Sequence, residues 1–179
     1  MSEFQEELPI KATSKTVLSY TVLHQTISFY YYDPTELYYS YVKNDLLGDL
    51  LDDVTSSMQE FLSNDRVEIN DDVISLRIRH TELLFHHKKK DHPIVMFSIV
   101  NDSPFKLLNG INTILLDAEQ ETLDYPITSS WRFPGKVIEV KSPLHYEISG
   151  FNVLFTAKQS DVIGGIEKIL FSTNQRKLR

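Results

Sequence analysis

The sequence predicts an α+β protein in which a mostly antiparallel β-sheet, either bent or folded into a sandwich, packs with one principal amphipathic helix. Two observations predict this class: a helical repeat of apolar residues precedes Arg66, and short alternating segments separated by turn residues follow it. The length of 179 residues is typical of one domain. We therefore expect residues 1–179 to form a single domain, with a strand and an acidic helix over 16–63, a β-rich portion over 66–171 and a basic tail over 174–179.

The composition is that of a folded protein. Hydrophobic residues make up 41% of the chain and charged residues 24%, which favours a packed core over a disordered chain. There is no cysteine, so disulfides, thiolate metal sites and cysteine nucleophiles are excluded. The acidic N-terminal residues and the lack of a long apolar stretch predict no signal peptide, no membrane span and a cytoplasmic location. The net charge of −7 disfavours broad binding to nucleic acid.

The first predicted element is extended. Residues 16–32 are rich in Val, Ile, Thr, Tyr and Phe and contain neither Gly nor Pro. This composition predicts one long strand, or two short strands with a bend near His24 and Gln25.

A helix is predicted to begin at Pro34 and to continue to about Ser63. Asp33 can accept a hydrogen bond from a backbone N–H of the first turn, Pro34 suits a position that needs no donor, and Glu36 fits a capping box. We expect Asn64 to end the helix in the left-handed conformation.

The apolar residues of this helix change phase between its two halves. In the second half, at about 100° per residue, one apolar stripe is formed by Leu46, Leu47, Leu50, Leu51, Val54, Met58, Phe61 and Leu62. In the first half, Tyr38, Tyr41 and Val42 fall on the opposite, acidic side. Either the helix breaks near Lys43 and Asn44, with Asn44 capping a second helix, or it continues and exposes a tyrosine patch. We favour the break because a capping residue at a phase change is the simpler explanation.

Turn residues recur after the helix and predict antiparallel strands there, and we expect six to nine strands in the whole sheet. The clearest hairpin alternates over residues 144–149, turns, and alternates again over 151–158. Residues 94–100 are apolar at nearly every position, which predicts a central strand covered on both faces. The segment 164–171 predicts a turn and a short strand.

Two polar segments interrupt the β pattern. His80 and Glu82 share the parity of buried Ile78, so we expect a bulge to turn them outward; the alternative is a buried acid–base or ligand pair. The segment 86–92 is predicted to be a solvated loop; the alternative is an anion or phosphate contact, to which the basic tail could add. Its lysines argue against a metal. Trp131 is predicted to be a core residue and, as the alternative, to stack on a base.

The leading functional prediction is a non-catalytic protein-interaction module or a subunit of a larger complex. Its partner would be another protein or a second copy of the chain, held by aromatic anchors, an acidic helix face or an open sheet edge. The residues predicted to contact it are Tyr38, Tyr41, Asp45, Asp49, Asp52 and Asp53.

Two alternatives stay open. The protein could bind a small apolar ligand in a cavity between helix and sheet, lined by Phe97, Tyr146, Phe151 and Phe155. It could also bind a polyanion weakly through His86, His87, Lys88, Lys89 and Lys90. No nucleophile elbow, phosphate loop, zinc-protease motif or dinucleotide motif occurs, so the sequence predicts no catalytic residue, metal or cofactor.

Overall fold

The computed structural model describes residues 8–174, which form two α-helices and twelve β-strands. In chain order the elements are β1 (Lys11–Leu18), β2 (Leu23–Tyr30), α1 (Leu37–Lys43), α2 (Leu47–Asn64), β3 (Arg66–Ile69), β4 (Asp72–Ile74), β5 (Leu76–Phe85), β6 (Pro93–Asn101), β7 (Gly110–Thr122), β8 (Ile127–Arg132), β9 (Lys136–Lys141), β10 (His145–Ser149), β11 (Asn152–Ala157) and β12 (Val162–Thr173). The predicted α+β class with mostly antiparallel sheets is confirmed.

The strands form two sheets. Seven strands lie in the order β10-β11-β8-β1-β2-β6-β5, and five lie in the order β4-β3-β7-β12-β9. Neighbouring strands are antiparallel except for β1 and β8, which run parallel with Ala12 opposite Ile127. The beginning of the described chain is therefore the middle strand of the larger sheet.

Two apolar cores cover one face of the seven-stranded sheet. The larger core joins the two sheets and includes Leu18, Leu23, Trp131, Val153 and Phe155 from one and Ile69, Ile114, Val140, Ile169 and Phe171 from the other. The smaller core joins α2 to β2, β5 and β6 and includes Leu62, Ile78, Val95, Phe97 and Ile99. Leu23 packs with the larger core and Ile27, at the same parity of β2, packs with the smaller one. One face of the sheet is thus shared between a second sheet and a helix.

The first extended segment is a hairpin whose turn lies earlier than predicted. β1 begins at Lys11, and the turn occupies Ser19–Val22 instead of a bend at His24 and Gln25. The Ser19 backbone N–H donates to the Val22 carbonyl at 2.8 Å, and the Ser19 hydroxyl donates to the same carbonyl at 3.0 Å. A serine makes this turn without the Gly or Pro that would have marked it in the sequence.

The predicted break in the helix is confirmed, but its two ends differ from the prediction. α1 begins at Leu37, not at Pro34, because residues 34–36 form a turn in which Glu36 has a φ of 54°. Asp33 is fully buried and accepts from the Tyr38 backbone N–H at 2.9 Å, as a capping residue should. Asn44 does not cap the second helix; it follows the last residue of α1.

The end of α2 is also simpler than predicted. The helix ends at Asn64, and Asp65 is extended, with φ −84° and ψ 140°. No left-handed residue is needed because Asp65 leads straight into β3 at Arg66. The connection therefore turns the chain from helix to strand within one residue.

The described residues form twelve strands where six to nine were predicted. β10 and β11 form the expected hairpin, with Ser149 opposite Asn152. β6 is an interior strand, but Val95, Phe97 and Ile99 are buried on one face while the residues between them are only half-buried. The turn and short strand predicted over residues 164–171 are instead part of one long strand, β12, with a bulge between Ile163 and Gly165.

Candidate functional site

A concave feature lies where the helices cross the larger sheet. It is a cavity of about 540 Å³ between α1 and α2 on one side and β2, β6 and residues 121–125 on the other. That volume is within the range of sites for small organic ligands. Its lining residues are Leu8, Pro9, Phe29, Tyr31, Leu37, Tyr38, Tyr41, Leu50, Asp53, Val54, Ser57, Met58, Phe61, Phe97, Glu121, Thr122, Leu123, Asp124 and Tyr125.

Aromatic rings form much of the wall of this helix–sheet cavity. The rings of Phe29 and Phe97 meet edge to face, with centroids 6.0 Å apart, and Phe29 also meets Tyr125 at 6.2 Å. On the helical side, Tyr31 and Tyr38 have centroids 5.3 Å apart. These contacts fix rings from four parts of the chain around one apolar space.

Carboxylates and hydroxyls lie at the edge of the cavity. Asp53, Glu121 and Asp124 line it and are exposed. Burial raises the pKa of the Tyr125 phenol, and the nearby carboxylates of Glu121 and Asp124 raise that pKa further. Tyr125 therefore stays protonated at neutral pH and can donate a hydrogen bond.

A smaller cavity of about 260 Å³ adjoins the first, between the end of α2 and the two sheets. Both cavities are lined by Met58, Phe61 and Glu121. The walls of the smaller cavity are mainly apolar and include Trp131 and Phe155. The Met58 and Phe61 side chains stand where the two spaces meet.

Two carboxyl groups of the smaller cavity are partly withdrawn from water. Burial raises the pKa of Asp65, with a further contribution from Glu121, and burial also raises the pKa of Glu167. A hydrogen bond from Ser142 opposes the effect on Glu167. A charged carboxylate at either position therefore lacks part of its normal hydration.

Side-chain hydrogen bonds hold α2 over the sheet beside the cavity. The Gln59 amide donates to the Leu76 carbonyl at 3.1 Å, and its oxygen accepts from the Ile78 backbone N–H at 3.0 Å. Gln59 thus occupies the free edge of β5 as a neighbouring strand would. The hydroxyls of Thr55 and Thr81 meet at 2.6 Å.

The structure separates the residues predicted to bind a protein partner. Tyr38 and Tyr41 are half-buried and line the cavity, because the break after α1 changes the phase of the helical chain. Asp45, Asp49 and Asp52 are exposed. Asp53 is exposed as well but borders the cavity.

The cavity residues predicted from the sequence are also divided. Phe97 lines the larger cavity and Phe155 the smaller one. Tyr146 lines neither and donates its hydroxyl to the Val140 carbonyl at 3.0 Å, and Phe151 is 53% exposed at the hairpin turn. Placing these two in the cavity was wrong, because Tyr146 lies in β10, the edge strand opposite β5, and Phe151 lies in the turn between β10 and β11.

Several lining residues carried no signal in the sequence. Phe29 and Tyr31 belong to a β-rich run without local polarity, and Tyr125 stands in a connection before Pro126. A turn could be predicted there. The position of Tyr125 over the cavity depends on the pairing of β7 with β12 and of β8 with β1 and β11, which no local pattern encodes.

The bulge predicted near His80 and Glu82 is present in β5. The register shifts between Ile78 and His80, which confirms the bulge. His80 is exposed, and its ring lies 3.7 Å from the Glu82 carboxylate at the surface.

Trp131 is buried in the larger core and donates its indole N–H to Ser129 Oγ at 3.1 Å, so it is a core residue.

The basic segment forms a compact loop after β5. The His86 backbone N–H donates to the His92 carbonyl, and the rings of His86 and His87 have centroids 4.0 Å apart. Lys90 Nζ lies 4.1 Å from the centre of the Tyr39 ring. The basic tail predicted to join this loop lies beyond the described residues, except for Asn174.

Metal binding, membrane insertion and relationship to known proteins give no further guide to the site. Within residues 8–174, no group of three or more His, Cys, Asp or Glu side chains could hold a metal ion. No helix in that range is both long and apolar enough to cross a membrane. No family model matches the chain, and neither a curated protein nor a solved structure matches it significantly.

Proposed function

We propose that this protein binds a small, mainly apolar ligand in the helix–sheet cavity. The observation that carries this proposal is the 540 Å³ space lined by rings from β2, α1, β6 and the connection before β8. Filling such a space with an apolar molecule removes both ligand and aromatic surface from water. The sequence had offered this function as an alternative to protein interaction.

The lining also defines what the ligand should look like. Its body is flat or branched and apolar, since Phe29, Phe97 and Tyr31 provide ring faces and edges. One acceptor group near the edge would suit the protonated phenol of Tyr125. The smaller cavity beyond Met58 and Phe61 would accommodate a longer ligand if those two side chains rotated.

The test uses Nile red, a neutral dye that fluoresces in apolar surroundings, and two serines of α2. Ser57 and Ser56 are both exposed, and each donates its hydroxyl to the carbonyl four residues earlier, but only Ser57 lines a cavity. Ser57→Trp should weaken dye binding about tenfold, or ~1.4 kcal/mol, by closing the mouth. Ser56→Trp should leave the affinity unchanged. Equal affinities for both variants, or no dye binding by the wild type, would reject the proposal.

A protein-interaction role is the second candidate, and the charge of the helical region supports it. Asp45, Asp49 and Asp52 are exposed, and none of the ion pairs formed within residues 8–174 includes them. A basic partner surface would neutralise them. The cytoplasmic location predicted from the sequence stays a prediction.

This second candidate is tested by cross-linking the protein in extracts of its own host and mapping the linked residues by mass spectrometry. Changing Asp45, Asp49 and Asp52 together to Asn should abolish any stoichiometric cross-linked complex. The matched control changes Asp71, Asp72 and Asp161, which are also exposed and line neither cavity, to Asn. A complex that survives the first triple variant would exclude this acidic face as the interface.

A further inference from the structure

The loop between β5 and β6 has a defined conformation. The His86 backbone N–H donates to the His92 carbonyl at 2.9 Å, Lys89 N–H donates to the His86 carbonyl at 3.0 Å, and His92 N–H donates to the Lys89 carbonyl at 3.2 Å. The next contact ties the loop to the start of α1, where Asp33 N–H donates to the Asp91 carbonyl at 2.9 Å. The cationic side chains of the loop are therefore presented on a fixed backbone.

A cation from a distant part of the chain joins this loop. Lys11, the first residue of β1, places its Nζ 4.3 Å from the centre of the Tyr30 ring, and that ring meets His86 edge to face at 6.4 Å. Loss of hydration, together with the nearby His87, Lys11, His92 and Lys89, lowers the pKa of His86. The fold thus gathers basic groups that the sequence keeps 75 residues apart, from Lys11 to His86.

Few negative charges offset this group. Asp91 is the one acid in the segment 86–93, and its carboxylate is held by the His92 ring at 2.8 Å. Within the described part of the chain, no ion pair joins Lys11, Lys88 or Lys89 to a carboxylate. A local positive surface on a chain with a net charge of −7 is therefore left for a ligand to neutralise.

We propose that Lys11, His86, His87, Lys88 and Lys89 form a binding site for a multiply charged phosphate group. Lysine ammonium groups and imidazole N–H groups are hydrogen-bond donors that suit phosphate oxygens. Several neighbouring cations favour a ligand with more than one negative charge over a monocarboxylate. The phosphate could belong to a free polyphosphate or to a phospholipid headgroup, and this site is separate from the apolar cavity.

Two binding measurements on the full chain test the proposal and distinguish the sources. Calorimetric titration with tripolyphosphate at low ionic strength examines the free anion. Flotation with phosphatidylcholine vesicles, with and without phosphatidic acid, examines the lipid headgroup. Binding to tripolyphosphate alone assigns a free phosphate ligand, and binding to vesicles that contain phosphatidic acid assigns the lipid. Binding to neither overturns the proposal.

A charge-matched pair of variants shows whether the site is local. Changing Lys11, Lys88 and Lys89 together to Gln should weaken the observed binding at least about tenfold. Changing Lys106, Lys136 and Lys158 to Gln removes the same charge from exposed positions elsewhere and should weaken it by no more than about twofold. Equal losses in the two triple variants would show a general charge effect and overturn the proposal.

Discussion

The hydroxyl oxygens of Thr55 and Thr81 lie 2.6 Å apart and join α2 to β5 of the larger sheet. Both residues are half-buried. One turn further along the helix, Gln59 bonds to the free edge of the same strand. These contacts fix the helix on the sheet and so fix one wall of the cavity.

The Thr55–Thr81 contact should be worth about 1 kcal/mol of unfolding free energy. Thr55→Val keeps the side-chain shape and removes the hydroxyl, and we expect it to destabilise the protein by about that amount. Because either single change already breaks the contact, the double variant should lose less unfolding free energy than the sum of the two single variants. Urea denaturation of the three variants measures this coupling. Strict additivity would show that the two hydroxyls do not interact.

Gln59→Leu should destabilise the protein by about 1–3 kcal/mol, since it leaves a carbonyl and an N–H of β5 without their side-chain partner. We expect the Ile78 amide to exchange with deuterium faster, while amides of β8 keep their protection. The exposed strand edge should also promote self-association, detectable by analytical ultracentrifugation. Gln59→Glu provides the control, because it preserves the acceptor for the Ile78 N–H and removes only the donor to Leu76.

Gly164 should tolerate substitution less well than Gly150, although both have positive φ. The φ values are 82° and 61°, but a Cβ at Gly164 would lie 2.1 Å from the Glu119 carbonyl oxygen, whereas nothing lies within 4 Å at Gly150. Gly150→Ala should cost about 1–2 kcal/mol for its left-handed backbone alone. Gly164→Ala should lower the free energy of unfolding by several kcal/mol, as measured by thermal melting, because the bulge between β7 and β12 must open. Similar losses at both positions would contradict this account of the bulge.

The stability of the protein should depend on pH through Glu167. Burial raises its pKa in the folded state, so the favourable contribution of the protonated form is fully present below its ordinary value of 4.5 and is lost as pH rises through the raised value. Glu167→Gln should therefore raise the melting temperature at pH 7 and change it little at pH 4. Glu147→Gln, at an exposed carboxylate, should show no such difference. A Glu167→Gln variant that is less stable at pH 7 would mean that the carboxylate has a favourable partner.

The sequence predicts local elements here better than it predicts their arrangement. The phase change between Tyr41 and Leu46 correctly indicates two helices, and the alternation around Ser149 correctly indicates a hairpin. Both signals arise within a few residues. The start of α1 was misplaced because Asp33 caps it from a turn, which puts the first helical residue three positions later than Pro34.

The cavity could be predicted as a possibility but not located. Its walls depend on long-range pairing, such as that of β2 with β6, which brings the Phe29 ring against the Phe97 ring. Phe97 was correctly placed by its buried strand, whereas Tyr146 resembles it in pattern but lies in a strand at the opposite edge of the sheet. The alternation of apolar and polar residues indicates which face of the sheet a residue occupies. Only strand order decides which part of that face lies under the helix.

Native mass spectrometry of the protein purified from its own host tests the ligand-binding proposal most directly. We expect the wild type to retain a discrete small molecule and Ser57→Trp to lose it, while Ser56→Trp keeps it. A wild-type protein without any added small mass, but with a stoichiometric protein partner, would contradict the cavity as the functional site. That result would favour the acidic face of Asp45, Asp49 and Asp52 instead.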